Sequence, residues 1–233
     1  MLGPFQVLKP SLTLGSEAKP AAEPVAWWTL NERDGNTAAD AAVNHFNGQI
    51  HGAPLWAASR DKADGALEFD GARSWVESPD IKSSSDAGAL TASVWFKVRR
   101  FDVAQQSIMT KGNAWRIQRH GDTGQLELAT QGLESTTPGK AITLTSKAAV
   151  NDGQWHQATA TWDRKRLALY IDGVEQSSVA VSGSLAPNNL PVSLGENAAQ
   201  RGRLFNGWLD DARVYGRALS AQEVAALFKE GPK

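Results

Sequence analysis

Two runs of alternating apolar and polar residues, joined by an Asp-Gly pair, constrain this chain more than any other feature. Residues 166–171 alternate in this way, and so do residues 174–181. Between the two runs stands Asp172-Gly173. A type I′ turn needs a positive φ at both central residues, and Asp-Gly meets that need at little cost. The chain is therefore expected to contain antiparallel β-sheet.

Further segments show the same two-residue period. In residues 91–99, one face carries Ala92, Val94, Phe96 and Val98, and the other face is mostly polar. Residues 155–162 also alternate, and residues 115–119 and 125–130 predict a second hairpin. Asp-Gly or Asn-Gly pairs recur along the whole chain. Many short strands between such turns indicate a β-sandwich or barrel.

A helix is predicted only near the C terminus. Ser220 and Glu223 have the spacing of a capping box, in which each side chain bonds the other residue's backbone N–H. An apolar stripe then follows, and Gly231-Pro232 ends it. A length of 233 residues suits one large all-β domain.

The first 24 residues differ in composition from the rest. They hold four of the ten prolines and have no apolar period, which is typical of a semi-rigid linker. We therefore predict a linker at 1–24 and a single domain at 25–230, working as a monomeric unit within a larger chain. No signal peptide is visible, and there is no cysteine. Secreted bacterial proteins often lack disulfides, so an extracellular or cell-surface location is compatible with the sequence.

Charge and hydropathy argue against two classes of partner. The chain has 24 Lys and Arg against 25 Asp and Glu, and the net charge is -1. The basic residues form no broad patch, so neither nucleic acid nor an anionic membrane is expected as a partner. No apolar run approaches the roughly 20 residues of a membrane helix, so membrane insertion is not expected.

Several segments, taken in order, point to a known family. They cover residues 28–32, 66–71, 90–96, 151–156, 169–174, 205–215 and 217–220. On these segments the chain resembles the laminin G-like jelly-roll family of the concanavalin A-like lectin/glucanase superfamily over about 25–230. The resemblance implies two antiparallel sheets, one concave and one convex, packed as a jelly-roll sandwich with a short C-terminal helix. It also implies a module of a long extracellular protein.

The spacing of carboxylates along the sequence indicates whether the chain could hydrolyse a glycoside. Retaining glycosidases need two carboxyl groups about 5–5.5 Å apart, and the glucanases of this superfamily supply them from alternate positions of one strand. The candidate pair is Glu68 and Asp70, but Gly71 and Ala72 follow and no second glutamate does. We therefore expect Asp70-Gly71 to form a turn, and the protein to be no enzyme. The predicted function is a non-catalytic, carbohydrate-binding module; the alternatives are a structural or adhesive spacer with an extracellular protein partner and, less favoured, a glycoside hydrolase.

Nine tryptophans raise the question of sugar stacking. Six of them are expected in the core or at turns, namely Trp28, Trp56, Trp75, Trp95, Trp155 and Trp162, which leaves Trp27, Trp115 and Trp208. Trp115 begins a strand that is rich in long polar groups and enters a Gly-rich loop. The predicted glycan-binding residues are therefore Trp115, Gln118, Arg119 and His120.

The resemblance also implies a metal. Members of this superfamily often hold one structural Ca²⁺ where the first and last strands meet, and such a site needs six to eight oxygen ligands. The segment 210–215 resembles the one that supplies a carboxylate there. We expect Asp210 as a ligand, with Asp40 and Glu32 as possible further ligands.

Overall fold

The computed structural model of this chain describes residues 23–60, 65–84, 88–139 and 142–233. Positions 1–22 of the predicted linker lie outside these ranges, so the linker and the domain boundary stay predictions. Within the described ranges the chain folds almost wholly into antiparallel strands, with one α-helix, α1 (Ala221–Glu230). No helix in those ranges has the length and apolar character needed to cross a membrane.

The strands form two sheets. In the part of the chain that the structure describes, the first sheet has nine strands in the order β11-β15-β14-β13-β7-β17-β5-β4, with β1 also paired to β17. These strands are β1 (Ala26–Trp28), β4 (Leu55–Ala58), β5 (Gly65–Asp70), β7 (Leu90–Val98), β11 (Leu133–Ser135), β13 (Trp155–Trp162), β14 (Arg166–Ile171), β15 (Val174–Gly183) and β17 (Asn206–Tyr215).

The second sheet is formed by eight strands of the described ranges, in the order β12-β10-β9-β8-β16-β6-β3-β2. They are β2 (Thr37–Ala38), β3 (Gly48–His51), β6 (Trp75–Glu77), β8 (Ser107–Lys111), β9 (Trp115–Arg119), β10 (Leu126–Thr130), β12 (Leu144–Thr145) and β16 (Ser193–Leu194). The predicted two-sheet sandwich with a C-terminal helix is thus confirmed.

The predicted Asp-Gly hairpin joins β14 to β15. Asp172 has a φ of 52° and Gly173 a φ of 73°, so both central residues are left-handed, as the turn type requires. A Cβ atom built on Gly173 would lie 3.1 Å from Phe228 Cβ and 3.2 Å from Ala225 Cα. The glycine therefore allows the left-handed backbone of the turn, and its lack of a Cβ atom allows α1 to approach closely.

The core fills the space between the sheets. Ala92, Val94, Phe96 and Val98 of β7, predicted to share one face, are all buried in it. Since side chains alternate along a strand, the remaining residues of β7 face away from the core. Trp95 is one of these, and it is fully buried on the outer face, where Phe228 of α1 stacks on it at a ring distance of 5.3 Å.

The helix covers part of the outer face of the first sheet. Its predicted capping box is present: Ser220 accepts from Glu223 N, and the Glu223 carboxylate accepts from Ser220 N at 2.8 Å. A second apolar cluster then joins the helix to that face, consisting of Ala168, Tyr170, Tyr215, Leu219, Val224 and Leu227. Among the described residues no α-helix lies on the second sheet.

One contact beside the Asp-Gly turn makes stability depend on pH. His156 Nδ1 lies 2.7 Å from Asp172 Oδ2, and Nε2 lies 3.1 Å from Asp152 Oδ1. The hydrogen bond to Asp172 is the main cause that raises the pKa of His156, while burial opposes it and Asp152 adds to the rise. A raised histidine pKa adds stability below the unfolded pKa of about 6.5, and that stability is lost as pH rises through the folded pKa.

We therefore expect His156→Gln to lower the free energy of unfolding more at about pH 5.5 than at about pH 8.5. The Asp152 carboxylate is still charged at the lower pH, because its pKa is lowered by its hydrogen bond from Gln154 N and by His156. Urea denaturation of wild type and variant at both pH values measures the difference. An equal loss at both values would contradict this account of the histidine.

Candidate functional site

The outer face of the second sheet carries rows of polar side chains. The registers place Glu77, Ser193, Thr110 and Arg116 side by side on β6, β16, β8 and β9. In the next row Gln118 of β9 pairs with Glu127 of β10. Adjacent strands lie about 4.8 Å apart, so each row is a continuous line of polar side chains. Ser193, Thr110 and Gln118 are fully buried in it, whereas Arg116 is partly exposed.

The predicted binding residues on β9 point to opposite faces of the second sheet. Trp115 is only 1% exposed, lies in the core, and donates from Nε1 to Ser84 O at 2.8 Å. The prediction that Trp115 stacks on a sugar is therefore wrong, because both faces of its ring are enclosed by the sandwich. Gln118 lies on the opposite, outer face, as alternation along β9 requires.

Arg119 also has a different role from the predicted one. Its Nε donates to Thr123 O at 2.7 Å, its Nη1 donates to Val103 O at 3.0 Å, and its guanidinium lies 5.3 Å from the centre of the Phe101 ring. It is 9% exposed. Arg119 thus closes the β9–β10 turn and is not presented to a ligand on the outer face.

Gln118 and His120 meet on a third residue, which the sequence analysis missed. Gln118 Nε2 donates to Glu127 Oε1 at 2.5 Å, and His120 Nδ1 lies 2.6 Å from Glu127 Oε2. The Glu127 side chain is 7% exposed and that of His120 is 42% exposed. The pairing of β9 with β10, which the sequence did predict, could have brought Glu127 into the set.

A loop between β16 and β17, residues 195–205, reaches over the same face. The Glu196 carboxylate holds it together by accepting from the backbone N–H groups of Asn197, Gly202 and Arg203 at 2.8–3.0 Å. Thr110 Oγ1 donates to Glu196 O at 3.0 Å and ties the loop to β8. Arg203 Nη1 then comes to 3.5 Å from Gln118 Oε1.

An aromatic group lies further along this face. Trp75 of β6 points outward and is partly exposed, and His51 of β3 stacks on it at 4.7 Å between ring centres. The Arg201 guanidinium lies 5.3 Å from the Trp75 ring and pairs with Glu77. Of the two roles expected for Trp75, filling the core is wrong, since its neighbour Val76 is the one that packs inward.

The other two tryptophans considered for stacking lie on the first sheet. Trp27 donates from Nε1 to Asp211 Oδ1 at 2.5 Å, with the Arg213 guanidinium 4.5 Å from its ring centre. Trp208 donates to Glu68 Oε2 at 3.0 Å, with Lys97 and Arg99 over its ring. Both rings are thus already in contact with charged side chains.

The carboxylates tested for catalysis have structural partners. Asp70 Oδ1 accepts from Ala72 N at 2.9 Å and from Arg73 N at 3.0 Å, and Gly71 has a φ of 71°. Asp70-Gly71 therefore forms the predicted turn. The other candidate, Glu68, is paired with Arg99 and bonded by Trp208.

The carboxylates expected around Ca²⁺ do not form a ligand set. Asp40 accepts from the backbone N–H groups of Trp27, Ala42 and Phe46 at 2.7–2.8 Å, and Glu32 Oε1 accepts from Ala39 N at 2.6 Å. Asp210 is on the outer face of β17, where Ser59 Oγ donates to it at 2.5 Å. No group of three or more metal-ligating side chains occurs within the described ranges. The prediction of Asp210, Asp40 and Glu32 as a common site is corrected accordingly, because backbone donors use Asp40 and Glu32 and a hydroxyl binds Asp210.

Solved structures share this architecture. Domain 4 of an extracellular GH43 arabinanase from Geobacillus stearothermophilus, solved in complex with arabinotriose, is 20% identical with a TM-score of 0.66, covering 89% of this chain and 98% of that one. The binding domain of Paraclostridial Mosquitocidal Protein 1 is 19% identical with a TM-score of 0.64, covering 84% of this chain and 50% of that one. The binding domain of botulinum neurotoxin DC, solved in complex with rat synaptotagmin II, is 12% identical with a TM-score of 0.65, covering 89% of this chain and 51% of that one.

At these identities the likeness shows the fold alone. The chain spans about half the length of the two toxin domains. No curated protein matches the sequence significantly. A family model for laminin G-like domains does match, over residues 70–225, which is more than half of the chain and includes most strands of both sheets. The chain therefore belongs to the laminin G-like family of the concanavalin A-like lectin/glucanases superfamily.

Proposed function

We propose that this domain is a non-catalytic carbohydrate-binding module of an extracellular protein, and that its glycan binds to the outer face of the second sheet. The observation that carries the proposal is the Gln118–Glu127–His120 network, in which the buried Gln118 and Glu127 hold the half-exposed imidazole of His120 on a face without a covering α-helix. Sugar hydroxyls both donate and accept hydrogen bonds, so the imidazole of His120, which can do either, suits them.

The arrangement of the face gives further support. Trp75 lies on the same sheet beside the polar rows, with His51 stacked on its ring and the Arg201 guanidinium near it. This group combines aromatic and polar side chains, as small-molecule sites commonly do. The solved arabinanase domain, which has the same fold over nearly its whole length, was obtained with arabinotriose bound.

The carboxylates of this face support binding rather than hydrolysis. Both oxygens of Glu127 are engaged, by Gln118 and by His120. Glu196 is 3% exposed and is used by three backbone N–H groups. Neither carboxylate is therefore available as the free acid or nucleophile that glycoside hydrolysis requires.

A glycan array followed by calorimetry tests the proposal. We expect at least one saccharide to bind, and His120→Ala to weaken it by about tenfold, the value of one hydrogen bond of about 1.4 kcal/mol. Trp208→Ala, on the outer face of the first sheet, is the matched control and should bind as the wild type does. Binding that is lost in Trp208→Ala but kept in His120→Ala would place the site on the first sheet and would contradict the proposal.

Activity assays complete the test. We expect no release of reducing sugar from laminarin, agarose or xylan. Release that disappears in Glu127→Gln would contradict the non-catalytic role. If no saccharide binds at all, the proposal fails, and the spacer with a protein partner becomes the better account.

A further inference from the structure

We propose that the glycan recognised by this face is anionic, with the carboxylate of a uronic acid residue held between Arg116 and Arg203. This inference rests on the proposed function and narrows it to one class of saccharide. It follows from two partly buried arginines near the outer face of the second sheet, neither of which forms an ion pair with a described carboxylate.

Arg116 is fixed in place on β9. Its Nη1 donates to Asn113 O and to Asn113 Oδ1, both at 3.1 Å. Its Nε is buried and makes no hydrogen bond with any described residue. The guanidinium is therefore positioned by an amide and a carbonyl, neither of which neutralises its charge.

Arg203 approaches the same place from the loop. Its backbone is fixed at both ends, since Arg203 N donates to Glu196 Oε1 at 3.0 Å and Arg203 O accepts from Ser107 N at 2.8 Å. Its guanidinium reaches Gln118 Oε1 at 3.5 Å. Gln118 is two residues from Arg116 on the same face, a spacing of about 7 Å along the strand. A carboxylate bound beside Gln118 would therefore lie next to the Arg203 guanidinium and on the same strand face as Arg116.

Arg116 and Arg203 lie near the Glu127 and Glu196 carboxylates but form no ion pair with either. Burial lowers the pKa of Arg116, and the positive charge of Arg203 lowers it further, which shows that the two cations repel each other. Burial also lowers the pKa of Arg203, opposed by Glu127 and Glu196. Glu127 attracts both arginines but gives its hydrogen bonds to Gln118 and His120 instead.

Other arginines of this domain differ from Arg116 and Arg203 in forming ion pairs. Several of them lie against a carboxylate, as in the pairs Arg99–Glu68, Arg166–Glu175, Arg213–Asp211 and Arg217–Glu223. A carboxylate ligand would give Arg116 and Arg203 the same type of charge-assisted, two-oxygen contact.

Neighbouring groups on this face also favour an acceptor-rich ligand. Ser193 Oγ, in the row of Arg116, and Asn197 Nδ2, in the loop, are buried and have no hydrogen-bond partner among the described residues. Both can donate. With Arg116 Nε, three atoms of this region that can donate thus have no partner among the described residues, and a carboxylate brings two acceptor oxygens.

Affinity electrophoresis with a panel of polysaccharides tests the inference. Polygalacturonate, alginate and hyaluronate carry carboxylates; arabinan, xylan and laminarin are neutral; dextran sulfate reports binding to any polyanion. We expect at least one carboxylated polymer to bind at least about tenfold more tightly than every neutral one, and its affinity to fall as salt screens the charges. Arg203→Gln and, separately, Arg116→Gln should weaken it by about tenfold to a hundredfold.

Arg166→Gln is the matched control, because it removes the same charge from the outer face of the opposite sheet. Its binding should equal that of wild type, and unchanged circular dichroism should show that the three variants fold. If dextran sulfate binds as well as the carboxylated polymers and Arg166→Gln weakens all of them, the attraction is non-specific and the inference is wrong. If neutral polymers bind equally well and both site variants bind normally, the inference is wrong while the proposed function stands. If no polymer binds, both fail.

Discussion

Trp115→Ala is expected to destabilise the domain severely, with a loss of about 3–5 kcal/mol, the usual cost of removing a large aromatic from a core. Trp115 is 1% exposed and is among the largest fully buried side chains. Its replacement leaves a cavity between the sheets and removes the indole N–H, so Ser84 O loses a donor as well. A domain of this type has a total stability of about 5–15 kcal/mol, so much of the chain would unfold on mild heating.

Chemical denaturation followed by tryptophan fluorescence measures this effect. Trp208→Ala is the control, because it removes the same side chain from a partly exposed position on the outer face of the first sheet. We expect its loss to be less than half as large. A Trp115→Ala protein that is as stable as wild type would show that Trp115 is not a core residue and would reopen its predicted role in stacking.

Lys111→Met is expected to cost about 3 kcal/mol, since removing one partner of a buried ion pair leaves the other uncompensated. Lys111 is fully buried at the end of β8. Its ammonium is bound by the Asp80 carboxylate and by Leu190 O, with Asn188 O at 3.5 Å. Methionine has a similar length but no donor, so these oxygens lose a charged partner.

A double-mutant cycle separates this contact from general packing loss. Lys111→Met/Asp80→Asn should be less destabilised than the sum of the two single changes, because the second change removes the charge that the first leaves unpaired. Lys165→Met, at an exposed position, should change stability by less than about 0.5 kcal/mol. A Lys111→Met protein within that same range would contradict the role given to this ammonium.

The features of the fold that the sequence predicted well are those set by neighbours in the chain. Alternation in residues 90–98 depends only on the two-residue period of a strand, and its four apolar residues do line the core. The positive φ values at Asp172 and Gly173 follow from the chemistry of those two residues. The capping box needs only Ser220 and Glu223 three positions apart.

The candidate site was predicted less well because it is assembled over long distances. Gln118 and Arg203 are 85 residues apart, and the chain pattern around Arg203 does not indicate that it reaches β9. The error at Trp115 has a local cause. Alternation already placed Trp115 and Gln118 on opposite faces of one strand, so the two could not serve one ligand on the same face.

Contacts formed only in the folded chain also explain why the sequence led to a Ca²⁺ ligand set that the structure does not bring together. Asp40 is a residue that could bind a metal, but in the structure its two oxygens accept three backbone N–H groups that arrange the chain around β1. A carboxylate in a sequence does not reveal whether the backbone will use it first. Only the folded geometry separates a ligand from a turn-forming acceptor.

Mapping a bound glycan by NMR tests the central claim most directly, that the outer face of the second sheet is the binding surface. The ¹⁵N-labelled domain is titrated with the saccharide that binds best in the array. The account predicts that the largest shift changes of backbone amides fall on Arg116, Gln118, His120 and Glu127 and on the loop at 196–203. Changes confined to the first sheet, around Trp27 or Trp208, would contradict it.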